Sequence, residues 1–131
     1  MLESRETALF CVRYALEKKA YNVVVMEVTE QSSLGDYFVI CSGRSDTQVQ
    51  AIAQSIEENL GRLGMRPRAI EGYSRAHWIL IDYGDVIVHV FLDSARSFYD
   101  LERLWARAPR VALPEPYRSQ ARDPWLAGSG G

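Results

Sequence analysis

Apolar positions change their spacing several times along the chain, and each change marks an element. From Ser4 to about Lys19, Ala8, Leu9, Val12, Ala15 and Leu16 recur at the three- and four-residue spacing of an amphipathic helix, with Arg5, Glu6, Arg13 and Glu17 on the other side. Val23 to Val28 is dominated by β-branched residues and predicts a strand. Thr29 to Gly35 is polar and loop-like. The unbroken apolar run inside Asp36 to Ser42 predicts a central strand buried on both faces. Ser45-Asp46-Thr47-Gln48 then matches a capping box, in which the Ser and Gln side chains satisfy free backbone N–H groups at a helix start. Val49, Ile52, Ala53, Ile56, Leu60 and Leu63 supply the stripe of that helix, and Gly61, Gly64 and Pro67 end it.

After a short strand at Arg68 to Glu71, two apolar runs flank Tyr83-Gly84 and predict a β-hairpin. With Asp82 and Asp85 bracketing the turn, counting outward pairs Ile81 with Val86, Leu80 with Ile87, Ile79 with Val88 and Trp78 with His89. Strand side chains alternate between faces. One face then carries Ile79, Ile81, Val86, Val88 and Val90, with His77 toward its end, a composition suited to burial under helices. The other carries Trp78, Leu80, Asp82, Asp85, Ile87, His89 and Phe91. An apolar patch with an aromatic anchor, an imidazole and two carboxylates suits neither a plain core layer nor a solvated strand. Its readings are a face covered by further chain, a docking surface for another macromolecule, or a catalytic site.

Asp93 or Ser94 can cap a third helix bearing Phe98, Leu101, Leu104 and Trp105, which packs on one side only and stops at Pro109. Residues 1–108 are expected to form one α/β domain: a mixed sheet of about five strands with helices mainly on one face. Residues 109–131, with their prolines and terminal glycines, are expected to form an extended or disordered tail.

Composition narrows the functional classes. The 131 residues suffice for one domain with a real core, and 47% are hydrophobic. Residues 1–106 hold fifteen acidic and eleven basic side chains, a net of about −4. An acidic body argues against direct nucleic-acid binding, which needs a basic patch, and favours a basic protein partner. Cys11 and Cys41 show no CxxC spacing and are expected as buried, reduced thiols in a cytoplasmic protein. Neither a membrane span nor a secretory signal is expected.

Candidate chemistry is sparse. Ser42-Gly43-Arg44-Ser45 lies where a helix N-terminus can hold a phosphate, but it lacks the glycines and lysine of a P-loop and is expected to be a plain turn. Asp82 and Asp85 could hold Mg²⁺ in an enzyme resembling a nucleotidyltransferase, and they equally suit turn chemistry. No Ser, His, Asp order suggests a hydrolase. No cofactor and no metal site is expected. Arg96 is expected to be a surface ion-pair residue with Glu71 or Asp93.

Three blocks in register, SSLGDYFVICSGRSDTQVQAIAQSI, EGYSRAHWILIDYGDVIVHVF and RSFYDLERLW, closely resemble the ribosomal silencing factor family, RsfS, also called Iojap-related. The resemblance covers roughly residues 4–108. It implies a fold related in outline to nucleotidyltransferases but without their activity. It also implies a factor that binds a large-subunit ribosomal protein at an intersubunit bridge, keeps the small subunit from joining and represses translation when nutrients run short. Matching positions include Asp36, Tyr37, Glu71, Gly72, Trp78, Asp82, Tyr83, Gly84, His89, Phe91, Arg96, Tyr99, Leu101, Glu102 and Trp105. The strand-face count supplies the expected partner-binding residues Trp78, Leu80, Asp82, Asp85, Ile87, His89 and Phe91, extended by Tyr83 at the turn. Such a patch also suggests a homodimer of the free protein.

Overall fold

The computed structural model describes residues 3–30 and 35–122. The order is α1 (Ser4–Glu17), β1 (Tyr21–Glu27), β2 (Tyr37–Gly43), α2 (Asp46–Arg62), β3 (Ala69–Glu71), β4 (Trp78–Asp82), β5 (Val86–Leu92), α3 (Asp93–Tyr99), α4 (Leu101–Leu104) and α5 (Tyr117–Gln120). The strands form one mixed sheet in the order β1-β2-β5-β4-β3. Only β2 and β5 pair in parallel; the other neighbours are antiparallel. By those pairings β2 and β3, which flank α2 in the chain, run in the same sense with β5 and β4 between them.

The start of α2 follows the capping logic with one change. Ser45 Oγ accepts a hydrogen bond from the Gln48 N–H at 3.1 Å, as a capping box requires. Gln48 Oε1, however, accepts from the Arg44 N–H at 2.7 Å, one residue further back than Ser45. The Gln48 Nε2 group donates to the carbonyls of Lys18 and Lys19, so this cap also fastens α2 to the turn after α1.

Two apolar layers sandwich the sheet. On one side α1 and α2 cover Val23, Val25, Val39, Cys41, Ile79, Ile81, Val86, Val88 and Val90. On the other, Met26, Val28, Phe38, Ile40, Ile87 and Phe91 form a second cluster, with Trp78, Leu80, Leu101 and Trp105 packed at its margin. Helix packing is therefore concentrated on the first face, as the sequence predicts. Cys11 and Cys41 are unpaired and buried, and burial pushes the Cys41 thiol up to about 12.

The hairpin differs from its predicted register. Trp78 pairs with Phe91, Leu80 with His89, and Asp82 with Ile87. The Tyr83 N–H donates to the Val86 carbonyl at 2.9 Å, so Gly84-Asp85 occupies the centre of the turn and Tyr83-Gly84 does not. Gly84 has φ +91°, a backbone setting in which glycine pays no Cβ penalty. The shift amounts to two residues, and a two-residue shift returns every strand side chain to the same face. The predicted division into an Ile79 face and a Trp78 face survives for that reason.

Residues beyond Pro109 lie against β1. The Glu27 N–H donates to the Pro109 carbonyl at 2.8 Å, the Val111 N–H to the Val25 carbonyl at 2.8 Å, and the Val23 N–H to the Ala121 carbonyl at 2.9 Å. Val111, Leu113 and Tyr117 pack against the first apolar cluster. Residues 109–122 are thus docked on the sheet edge, and the domain extends past 108. Residues 123–131, also part of the expected tail, lie outside the described residues.

Candidate docking surface

Trp78 enters the surface from a tightly constrained approach. Gly72 has φ +82°, and a Cβ there would lie 2.1 Å from the Trp78 carbonyl oxygen, so the backbone passes β4 at a distance only glycine permits. The Ala76 N–H donates to the Gly72 carbonyl, and the Leu92 N–H to the His77 carbonyl at 2.8 Å, which carries the pairing one step past the strand. Trp78 is half-buried. Its indole N–H donates to His89 Nδ1 at 3.1 Å, and its ring stacks on Phe91 with centroids 4.9 Å apart. Tyr99 also lies against the indole, tilted, with centroids 4.9 Å apart.

His89 is 4% exposed and meets Phe38 edge to face at 4.9 Å. Burial lowers its pKa to about 4, which keeps the imidazole neutral and its Nδ1 lone pair open to the indole. Its Nε2 is buried without a hydrogen-bond partner.

The eight residues expected to line one surface divide four ways. Trp78 and Leu80 are half-exposed at the margin of the second cluster. Ile87, His89 and Phe91 are buried within that layer, because Trp105, Leu101 and Ala108 from the following segment reach back over the sheet. Tyr83 and Asp85 sit on the helix side. Tyr83 packs against the first cluster, and burial pushes its hydroxyl pKa well up. Asp85 Oδ2 accepts from Ser4 Oγ at 2.6 Å. Tyr83 follows the alternation of Ile79 and Ile81 onto that side, whereas Asp85, which counting places beside Ile87, leaves its face because alternation stops at the turn. Asp82 Oδ1 accepts from the Gly84 N–H at 2.7 Å, an Asx turn within the hairpin. Neither carboxylate is thus arranged with the other around a common point, and among the described residues no group of three or more His, Cys, Asp or Glu could hold a metal ion.

Among the described residues the most exposed large apolar side chains lie on α3 and α4: Phe98 is 80% exposed, Leu104 75% and Tyr99 51%. Phe98 meets Tyr99 edge to face at 5.2 Å, so an aromatic line runs from Trp78 through Tyr99 to Phe98. The sequence predicts a single helix here with Phe98, Leu101, Leu104 and Trp105 on its packed side. The chain instead breaks at Asp100, which adopts the left-handed conformation (φ 47°, ψ 49°) and turns α3 into α4. Leu101 and Trp105 remain against the sheet, while Phe98 and Leu104 are turned to solvent. The signal that could have marked the break is Asp100 itself, since Asp tolerates that conformation better than most residues.

Arg96 also differs from expectation. Its guanidinium is mostly buried, and its ion-pair partner is Glu102 at 2.9 Å, not Glu71 or Asp93. Burial opposes the charged form of Glu102, but the Arg96 hydrogen bond and the charges of Arg96 and Arg110 outweigh it and hold that carboxyl below its ordinary value.

A tightly packed aromatic anchor flanked by exposed apolar side chains has the composition of an interaction surface. Among the described residues no helix is long and apolar enough to cross a membrane. Comparison with known proteins agrees with the resemblance seen in the sequence. The family model described as "Ribosomal silencing factor during starvation" matches residues 1–127. The ribosomal silencing factor RsfS of Halalkalibacterium halodurans is 41% identical over 112 residues, covering 86% of this chain and 96% of that protein. That of Bacillus subtilis is 44% identical over 97 residues, 74% of this chain and 82% of the relative. A crystal structure of a Chromobacterium violaceum protein superimposes with a TM-score of 0.79 at 28% identity, covering 90% of this chain and 99% of the other. The chain belongs to the ribosomal silencing factor (RsfS) family.

Proposed function

We propose that this protein binds a protein of the large ribosomal subunit through the surface formed by Trp78, Leu80, Phe98, Tyr99 and Leu104, at a place where the small subunit must join. The bound factor blocks joining sterically and represses translation when nutrients run short. The observation that carries the reading is the exposure of Phe98, Tyr99 and Leu104 beside the anchored Trp78. Aromatic and aliphatic side chains of this kind dominate interface energetics, and blocking by occupancy needs no catalytic group. A stable contact buries about 1,200–2,000 Å² in total, which requires the hairpin margin and both short helices together. In the free protein the same apolar surface pairs two copies as a homodimer, so ribosome binding and self-association compete. The work takes place in the cytoplasm, where ribosomal subunits meet.

The test is sedimentation of the purified protein with isolated large and small subunits, comparing the native chain with Phe98→Ser and Leu104→Ser. Recovery with large subunits alone, reduced by both substitutions, is expected. Equal recovery with both subunits, or no effect of the substitutions, overturns the reading.

A further inference from the structure

The element that carries the exposed apolar residues has little core of its own. Neither α3 nor α4 contains a buried residue; the half-buried Ala95, Leu101 and, just after α4, Trp105 touch the second apolar cluster, and the exposed Tyr99 adds ring contacts to Trp78 and Phe91. Between the two helices lies Asp100 in its left-handed conformation, a one-residue bend about which Phe98 and Tyr99 would swing relative to Leu104. What closes this arrangement is polar. Arg96, on α3, has a side chain only 11% exposed. Its Nε donates to Glu102 Oε1 on α4 at 2.9 Å, across the bend. Its Nη1 donates to the Asn22 carbonyl at 2.5 Å and to Ser42 Oγ at 2.9 Å, groups that belong to the beginning of β1 and the end of β2. The other oxygen of Glu102 faces Arg110 at 3.7 Å, on the segment docked along β1.

We propose that Arg96 is a positioning residue for docking: its guanidinium, held by Glu102, Asn22 and Ser42, sets where α3 and α4 sit on the sheet and so presents Phe98, Tyr99 and Leu104 in one fixed arrangement. This rests on the docking function proposed above. The rigid planar fork of arginine is what the site requires, since it reaches three acceptors on three different elements at once. A lysine ammonium is a point charge on a flexible stem and does not reproduce that spread. Fixing the element in advance removes an ordering cost that binding would otherwise bear.

The experiment uses the full chain with Arg96→Met, Arg96→Lys and Glu102→Gln, measuring affinity for isolated large subunits and amide hydrogen exchange in parallel. Arg96→Met is expected to weaken binding about tenfold or more through lost pre-organisation, and Arg96→Lys to recover little of it. Glu102→Gln, which alters only the tie across the bend, is expected to lose a smaller part. Exchange in Arg96→Met is expected to rise in residues 93–105 while β2 and β5 stay protected. Phe98→Ser is expected to cost less affinity in the Arg96→Met background than in the native chain, because a loose element no longer presents Phe98 well. Native affinity in Arg96→Met overturns the inference, as does strict additivity with Phe98→Ser or a rise in exchange spread evenly over the sheet. If Phe98→Ser and Leu104→Ser bind normally in the otherwise native chain, the docking surface itself is wrong and the positioning role falls with it. Weakened binding in those two with native binding in Arg96→Met refutes the positioning role alone.

Discussion

The indole nitrogen of Trp78 donates to Nδ1 of His89 at 3.1 Å, and that bond requires a neutral imidazole. Burial lowers the pKa of His89 to about 4, against about 6.5 for an unperturbed histidine. The unfolded chain therefore takes up a proton at a pH where the folded one does not. The stability this provides is fully present above about pH 6.5 and is lost as pH falls through 6.5 toward 4, by an amount on the order of 3 kcal/mol. Replacement by Phe removes the titration but leaves the indole N–H without its acceptor, at a cost of about 1–3 kcal/mol near neutrality. Denaturant unfolding of the native chain and His89→Phe from pH 7.5 to 4 should show the native advantage shrinking as pH falls. A gap that is constant across that range contradicts the assignment.

Stability and binding should separate on the docking surface. Phe98 and Leu104 are largely exposed, so Phe98→Ser and Leu104→Ser should change unfolding free energy by no more than about 0.5 kcal/mol while weakening large-subunit binding. Trp78→Ala should do both, because its ring packs on Phe91 and Tyr99; about 2 kcal/mol of destabilisation is expected beside the loss of binding. Thermal melting and subunit sedimentation on the same preparations decide the matter.

Gly72 and Gly64 provide a matched pair. Both have positive φ, +82° and +85°, so both should resist a side chain. Around Gly64 there is open space, and Gly64→Ala should cost only the backbone penalty, about 1 kcal/mol. At Gly72 the added Cβ meets the Trp78 carbonyl at 2.1 Å, a clash with backbone that no rotamer relieves. Gly72→Ala should cost more than about 3 kcal/mol or prevent folding, and survivors should show displaced Trp78. Equal melting temperatures for the two variants would refute this account.

Removing the α2 cap should cost about 1 kcal/mol in Ser45→Ala, since Ser45 Oγ satisfies the Gln48 N–H. Gln48→Ala should cost a comparable amount or more. Its side chain serves both the Arg44 N–H and the carbonyls of Lys18 and Lys19, more than a capping box alone asks of it. Chemical denaturation curves of the two variants test the order.

Local pattern carried the fold further than it carried the surface. Helices α1 and α2 follow from apolar spacing and a cap, and the strands from β-branched runs, because those signals act within a few residues. The hairpin was misregistered by two residues, yet Trp78 and Ile79 fell on the correct faces, since side-chain direction depends only on parity. Ile87, His89 and Phe91 share a face with Trp78 but are covered, and what covers them is decided by a bend at Asp100 that no apolar period announces. Counting carries Asp85 through a turn, where alternation no longer applies, and Tyr83 joins the expected surface by adjacency to that turn although its parity matches Ile79 and Ile81. The exposed Phe98 and Leu104 were read as packing residues because helical spacing cannot tell a buried stripe from one aimed at another molecule.

The chain along β1 has a consequence for how the protein behaves in a crowded solution. An unpaired strand edge is a template on which another chain can add strands, and it invites fibres. Here Pro109, Val111 and Ala121 occupy hydrogen-bonding positions of Glu27, Val25 and Val23, and the opposite edge, β3, is three residues long. Sheets of neighbouring molecules therefore have little edge on which to polymerise. With those margins closed, association between copies is confined to the exposed apolar side chains of α3 and α4 and stops at small, closed assemblies in place of fibres.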